Sequence, residues 1–167
     1  LPTPPSDFLS SVGRDWELPL HESNELDIVK LRFSVILDPA GGMLKKVSLP
    51  FRLGLGGRIG SGKQPFSWIS LDDVVGIISF LLENPSLNGP FNLVAPRVVN
   101  QQQFATIFAK HLNRPAIFPL PTFIVKLLFG QMGQELLLSG QNVISKNLKD
   151  YKFKYRTLEQ AMNHWYK

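Results

Sequence analysis

The sequence predicts an α/β fold with a few parallel strands in its first part and a mainly helical second part. Over residues 1–95, segments rich in Ile, Val, Leu and Phe alternate with segments whose apolar residues recur at helical spacing. Such alternation is typical of parallel strands that are joined by helices. From residue 96 onward, helix-like sequence dominates. We therefore predict two domains, at residues 1–95 and 96–167.

The first elements follow from local signals. A helix is predicted from Ser6 to about Asn24, because Ser6 can cap it and apolar residues recur behind it every three or four positions. A buried strand is predicted from Asp27 to Leu37, and the turn-forming residues 38–42 end it. A short helix, roughly Met43 to Phe51, then leads into a glycine-rich loop.

A second strand is predicted from Phe66 to Ile69, directly before another helix. Ser70 and Asp73 fit the capping box, in which the serine hydroxyl accepts from a free amide and the acidic side chain reaches back to the serine amide. The apolar stripe of this helix ends at Asn84. A third strand is expected from Phe91 to Ala95.

The second part reads as a series of helices. Asn100 with Gln103, and Thr157 with Gln160, form two further capping patterns ahead of apolar stripes. Between them we predict a helix that ends near Gly130 and helical sequence from Gln134 to Gln141.

Composition narrows the classes of function. The net charge is +5 and the isoelectric point about 9.6, but the basic residues are scattered and form no arginine-rich helix, so we expect no nucleic-acid partner. No apolar run approaches the roughly 20 residues of a membrane helix, and the start has no signal-peptide pattern. The absence of cysteine excludes disulfides and thiolate metal sites. We expect a cytoplasmic protein, or one in an organelle if the source is eukaryotic.

The glycine-rich loop is the most unusual local feature, with five glycines in residues 54–62. Residues 57–64 nearly match a phosphate-binding P-loop, but Gln64 stands where that loop needs Ser or Thr, and Pro65 prevents an immediate helix. Residues 54–56 are no dinucleotide fingerprint either, because the strand-loop-helix context is missing. We interpret the stretch as a flexible or substrate-covering loop.

Charged side chains that could carry chemistry have simpler interpretations. Asp72 and Asp73 could be catalytic or metal-ligating, but their place at a helix start favours capping and compensation of the helix dipole. His21, His111 and His164 are far apart in sequence, without carboxylate or hydroxyl partners placed nearby. We interpret them as surface residues and expect no metal site.

Several segments together resemble a known family. They are Leu49–Asp73, Gly89–Pro96, Leu112–Ala116 and Leu136–Gln141, of which the first and third are the most specific. They resemble the atypical, epimerase-like branch of the extended short-chain dehydrogenase/reductases. The family pattern has His where this chain has Ser70.

The resemblance implies that residues 1–95 are the rear part of a Rossmann-like domain, and that an N-terminal half carrying the NADP-binding turn is absent from this chain. That half of the same protein is then the expected partner, and a homodimer is left open. Arg32 lies near the end of the strand that approaches the cofactor in the family, so it is the expected NADP contact of this segment. The alternative is an arginine that pairs with a carboxylate.

Catalytic residues cannot be assigned by the resemblance. Alignment on Glu17 places Leu9 and Gly13 where family members have the tyrosine and lysine of their proton relay. Phe66 and Val35 replace an arginine and an asparagine that hold nucleotide sugars, which argues against such a substrate. The expected pocket suits a smaller or more apolar molecule, and its lining is Val35, Phe51, Arg52, Gln64, Phe66 and Trp68.

Two functions follow as expectations. The first is the C-terminal portion of an NADP-dependent oxidoreductase or epimerase-like protein that transfers hydride on a small-molecule substrate. The alternative is a non-catalytic dinucleotide-binding sensor or scaffold that kept the fold without the proton relay.

Overall fold

The structure is a computed structural model that describes residues 8–17, 28–119, 140 and 142–167. Parallel strand pairs alternate with helices in its first part. In chain order the elements are α1 (Phe8–Glu17), β1 (Val29–Phe33), β2 (Val35–Asp38), α2 (Gly42–Arg52), β3 (Pro65–Phe66), β4 (Trp68–Ser70), α3 (Leu71–Glu83), β5 (Gly89–Leu93), β6 (Val99–Asn100), α4 (Gln101–His111) and α5 (Leu158–Trp165). The helices predicted before Gly130 and from Gln134 lie almost wholly outside the described residues.

The predicted single strand from Asp27 to Leu37 is wrong, because the chain changes partner at Ser34. Before it, β1 pairs in parallel with β5, from Val29 opposite Gly89 to Phe33 opposite Leu93. After it, β2 pairs in parallel with β4. Both the amide and the hydroxyl of Ser34 donate to the Leu93 carbonyl, at 3.1 and 2.7 Å, and this anchor directs the next residue toward the other pair.

The predicted strand from Phe66 to Ile69 divides in the same way at Ser67. Its first residue, Phe66, belongs to β3, which pairs antiparallel with β6. Its last residues form β4, which begins at Trp68 and continues to Ser70. The fold class nevertheless holds: a few parallel strands and helices form an α/β arrangement.

Two apolar clusters form the core. One lies among α2, α4, α5 and the β2–β4 pair; the other lies where α3 covers β4 and β5. Within the part of the chain that the structure describes, none of the helices has both the length and the apolar composition needed to cross a bilayer.

The starts of α4 and α5 agree closely with the sequence signals. The capping box of Asn100 and Gln103 is confirmed, with both bonds at 2.7–2.8 Å. The box of Thr157 and Gln160 is confirmed as well, ahead of α5. These caps position α4 and α5, which pack together through the first core cluster.

Candidate functional site

The buried carboxylate of Asp73 connects the start of α3 to a distant segment. It accepts hydrogen bonds from the Ser70 hydroxyl and the Lys154 amide, both at 2.7 Å, and from the Tyr155 amide at 3.2 Å. The Tyr151 hydroxyl lies 3.4 Å away. A buried carboxylate is costly unless several donors satisfy it, and here they do.

The capping box predicted for α3 is therefore only half correct. The Ser70 hydroxyl does accept from the Asp73 amide, at 2.9 Å. The Asp73 carboxylate, however, is taken up by donors from the C-terminal segment instead of closing the box. Its role is to hold two parts of the fold together.

Asp72 lies beside it on the surface and has different partners. Its carboxylate accepts from the Lys154 ammonium at 2.8 Å and from the Tyr155 hydroxyl at 3.2 Å. The hydrogen bond from Lys154 lowers the pKa of Asp72, and the same bond raises the pKa of Lys154. The two aspartates thus hold the segment around residues 154–155 on α3. Among the described side chains, no group of three or more His, Asp or Glu is placed to bind a metal ion.

Tyr151 also joins the C-terminal segment to α3, mainly through apolar contacts. Its ring packs edge-on against Phe80 and Phe153, with ring centroids 5.8 and 5.0 Å apart. Burial, followed by the nearby charge of Asp73, raises the pKa of Tyr151 to about 12. The phenol therefore stays protonated at neutral pH and donates a hydrogen bond; it cannot serve as a general base there.

The predicted cofactor contact, Arg32, forms an ion pair with Glu17. The Arg32 Nε donates to Glu17 Oε1 at 2.6 Å, and Nη2 pairs with Oε2. The side chains are 49% and 27% exposed, so the pair lies at the surface, where it joins α1 to β1. This hydrogen bond raises the pKa of Arg32. The carboxylate-paired alternative is thus present, and contact with NADP stays a prediction.

Three of the predicted pocket residues are aromatic side chains of the first core cluster. Phe51 packs on Phe108 with ring centroids 5.0 Å apart, and Phe66 packs on Phe104 at 4.6 Å. Trp68 is fully buried. Phe51 and Trp68 therefore offer little surface to a ligand, and sequence reasoning did not distinguish core from lining here.

The other three predicted pocket residues lie nearer the surface. Val35 is partly exposed and stands opposite Trp68 in the register of β2 and β4. Arg52 ends α2 with an exposed side chain. Gln64 lies in the glycine-rich loop and donates to the Ile59 carbonyl at 3.0 Å. A role in substrate binding for these six residues stays a prediction.

The glycine-rich loop is fastened to the start of α4. The side-chain oxygen of Gln101 accepts from the Ile59 amide at 2.7 Å. The backbone adds bonds from the Gln101 amide to Gln64 and from the Gln102 amide to Gly62, both at 3.0 Å. Gly60 and Gly62 have positive φ, which glycine adopts without strain. The role of Gln101 was not predicted from the sequence. The only local signal was its position directly after Asn100, the N-cap of α4.

His111 and His164, the two histidines among the described residues, contact neighbouring side chains and backbone of the fold. The His111 ring nitrogens lie 2.8 Å from the Ile107 carbonyl oxygen and 2.8 Å from Asn163 Oδ1, so this ring connects α4 to α5. His164 packs against the ring of Tyr155. His21 lies outside the described residues.

Comparison with known proteins shows which family this chain resembles. An epimerase family protein of Mycobacterium bovis is 38% identical over 161 residues, which are 94% of this chain and 54% of that protein. An epimerase family protein of Staphylococcus aureus is 36% identical over 164 residues, again 54% of its length. Over almost its whole length, the chain is similar to epimerase family proteins. It spans about half the length of these relatives.

Solved structures agree with this assignment. The human epimerase family protein SDR39U1, crystallised with NADPH, matches with a TM-score of 0.90 and 36% identity over 98% of this chain and 57% of that one. A nucleoside-diphosphate sugar epimerase of Corynebacterium glutamicum matches with a TM-score of 0.73 and 28% identity, over 96% and 31% of the two chains. Residues 120–165 match the family described as "Domain of unknown function (DUF1731)". The fold is that of the C-terminal part of Rossmann-type epimerase proteins.

Proposed function

We propose that this chain is the C-terminal, substrate-side portion of an NADP-dependent oxidoreductase or epimerase-like protein. The observation that carries the proposal is the match to a human family protein crystallised with NADPH, at a TM-score of 0.90. Nicotinamide cofactors supply hydride transfer at a carbonyl or hydroxyl carbon. The part played by this chain is to shape the space that the substrate occupies and to complete the cofactor-binding domain.

The proposed partner is an N-terminal half of the same protein, with residues 1–95 as the rear part of the joint Rossmann-like domain and 96–167 as the mainly helical domain. Among the described residues, β1 pairs only with β5, so its other edge is open for a further parallel strand. Val29 and Phe33 on β1 are 38% and 52% exposed. Large apolar side chains at an open strand edge favour a covered edge in the intact protein.

The outer face of α3 supports the same partner. Its exposed apolar side chains recur at positions i, i+4, i+7 and i+11, and they are Leu71, Val75, Ile78 and Leu82. The opposite face of α3 is buried against β4 and β5. A helix that is apolar on both faces is typical of an element packed between two layers.

Most NADP contacts are proposed to belong to the N-terminal half, because a pyrophosphate is bound by a glycine-rich turn and the helix start behind it. The Arg32 guanidinium is half exposed and already oriented by Glu17. A charged fork of this kind fits a phosphate or ribose edge, and Arg32 is the residue of this chain proposed to touch NADP.

The proposed substrate is a small carbonyl or alcohol compound and not a nucleotide sugar. Phe66 packs into the aromatic core through Phe104, and Val35, the first residue of β2, has only methyl groups to offer. Neither side chain can donate to a diphosphate or a sugar hydroxyl.

One observation favours the non-catalytic alternative. Leu9 and Gly13 stand in α1 where the family relay has its tyrosine and lysine, and neither can transfer a proton. Burial raises the pKa of Tyr151 and of Tyr155, which disfavours either side chain as the general base of such a relay.

Oxidation of NADPH by the intact protein decides between enzyme and sensor. The intact protein is mixed with NADPH and a panel of aldehydes, ketones and quinones, and the cofactor absorbance is followed. Substrate-dependent oxidation that exceeds the cofactor-only control supports the enzyme. Tight NADPH binding without oxidation across the panel contradicts it and favours the non-catalytic protein.

A further inference from the structure

A cavity of about 430 Å³ lies beyond the end of β5. Its lining contains none of the residues proposed above for NADP or substrate, although the Ala95 amide in its wall donates to the Trp68 carbonyl at 2.8 Å. Val94 and Ala95, which directly follow β5, form one wall. The opposite wall comes from the segment 142–156. This segment runs along the outer edge of β5, where Asn92 donates to the Ile144 carbonyl and Asn147 donates to the Pro90 carbonyl.

Two cationic side chains, Lys149 and Arg156, line this cavity. Within the described ranges, the ion pairs are Arg32–Glu17 and Lys154–Asp72, so neither of these two cations is paired with a carboxylate. The nearest buried acid, Asp73, lies behind Tyr151 and is already satisfied by its own donors. Both side chains are exposed, and they add two positive charges to the lining of the cavity.

A buried hydroxyl adds a donor without a partner. The Oγ of Ser145 is inaccessible to solvent and has no hydrogen-bond partner among the described residues. Leaving a buried polar group unsatisfied costs about 1–3 kcal/mol, so such groups are rare and call for an explanation. Ser145 also lines the cavity, but its hydroxyl oxygen is shielded from it. Rotation of the Ser145 side chain to another staggered rotamer would turn the hydroxyl toward an acceptor atom of a ligand.

Most of the remaining lining is apolar, including Val94, Val98 and Leu148, and Asn142 and Tyr151 add polar groups. A cavity of this size holds more than an inorganic ion, and small-ligand sites combine an apolar lining with a few polar groups. Two cations and a hydroxyl donor suit a dianionic head group better than a carboxylate, which carries one charge. The carboxyl ends of parallel strands are also where open α/β sheets bind ligands.

We propose that this cavity binds a small organic phosphate, with Lys149, Arg156 and the Ser145 hydroxyl at the phosphate and Val94, Val98 and Leu148 along the apolar body. The lining of this site shares no residue with the proposed NADP and substrate positions, and the proposal does not rest on the proposed function.

Phenyl phosphate is the probe, with phenol and benzoate as matched compounds that lack the phosphate. The intact protein is saturated with NADPH, so that cofactor phosphate sites are filled, and each compound is titrated by calorimetry. We expect phenyl phosphate to bind, phenol to show no measurable binding, and benzoate to bind at least about tenfold more weakly because it has one charge fewer. Benzoate binding as tight as phenyl phosphate would overturn the phosphate assignment.

Variants locate the binding. The double variant K149Q/R156Q is expected to weaken phenyl phosphate at least about tenfold and S145A several-fold, on the scale of charge-assisted and neutral hydrogen bonds. K146Q, a neighbouring exposed lysine that does not line the cavity, is the control and should bind normally. Unchanged affinity in K149Q/R156Q, or no binding to the wild-type protein, overturns the proposal.

Amide chemical shifts of the wild-type protein provide a measurement that needs no variant. Addition of phenyl phosphate should shift the amides of residues 94–98 and 142–149 most strongly. Shifts confined to other regions would contradict the site even if the variants fail to fold.

Discussion

The Asp73 carboxylate accepts a hydrogen bond from the Lys154 amide at 2.7 Å, across 81 positions of the sequence. This bond fastens the C-terminal segment to the first turn of α3, next to the end of β4. The same segment forms one wall of the cavity beyond β5. The Asp73 carboxylate therefore helps to position both the start of α3 and that cavity wall.

Replacement of Asp73 by Asn should destabilise the protein far more than the same change at Asp72. In D73N the side-chain NH2 group faces hydrogen-bond donors that the carboxylate accepts from in the wild-type protein. Loss of one partner in a buried charged network costs about 3–5 kcal/mol. D72N removes an exposed pair worth less than about 1 kcal/mol. The free energies of unfolding from urea titrations of the two variants provide the comparison. Equal losses of unfolding free energy in the two variants would show that Asp73 does not hold the C-terminal segment on α3 more strongly than Asp72 does.

The pH dependence of stability at the acid end should depend on Asp72. Its folded-state pKa lies below the ordinary value, so its contribution is complete above the unfolded pKa near 4 and is lost as pH falls through the folded value. Thermal unfolding midpoints measured from pH 6 downward should fall more steeply for the wild-type protein than for D72N. Parallel curves would mean that the bond to Lys154 has no energetic effect.

At the alkaline end, Tyr151 should control a second loss of stability. Its pKa rises from an ordinary value near 10 to about 12 on folding, so the unfolded state releases its proton first. The wild-type protein should therefore lose stability between about pH 10 and 12, and Y151F should lose less over that window. Phenolate absorbance gives an independent check. Ionisation of all three tyrosines near pH 10 in the folded protein would contradict the shift.

Variants at Arg32 and Glu17 distinguish a cofactor contact of Arg32 from a purely structural ion pair. In the intact protein, R32A should weaken NADPH binding by about 1–3 kcal/mol, the scale of a lost charge-assisted hydrogen bond. E17Q breaks the same ion pair but retains the guanidinium, so it should bind NADPH nearly as well as the wild-type protein. Calorimetry measures both. Equal NADPH affinity of R32A and the wild-type protein would mean that Arg32 only connects α1 to β1.

The glycine-rich loop should be ordered without any ligand, contrary to its interpretation from sequence as a flexible loop. Gln101 holds the Ile59 amide, and protected amides exchange slowly. Hydrogen exchange at residues 59–64 should be slow in the wild-type protein and faster in Q101A, whereas Q103A, which alters the cap of α4, should leave the Ile59 amide protected. Fast exchange of this amide in the wild-type protein would restore the flexible interpretation.

The sequence predicted what depends on near neighbours. The capping boxes at Asn100 and Thr157 involve residues three positions apart, so their patterns are visible in the sequence. The breaks at Ser34 and Ser67 depend on which strand lies alongside, and no local signal carries that information. Likewise, Phe51 and Trp68 have the composition of both a core and an apolar pocket, and only the packing distinguishes the two.

The site beyond β5 was missed for the same reason. Ser145, Lys149 and Arg156 carry no motif, and they meet because residues 142–156 fold back along β5 and onto α3. Family resemblance, by contrast, resides in contiguous sequence, which is why the epimerase assignment was within reach of the sequence.

Titration of NADPH into this 167-residue chain and into the intact protein tests the central claim most directly. Calorimetry is performed on both, with near-UV circular dichroism to establish that the shorter chain is folded. We predict binding to the intact protein and no measurable binding to the folded chain alone, because the pyrophosphate site is proposed to lie in the N-terminal half. Micromolar binding of NADPH by the folded chain alone would contradict that division of the cofactor site.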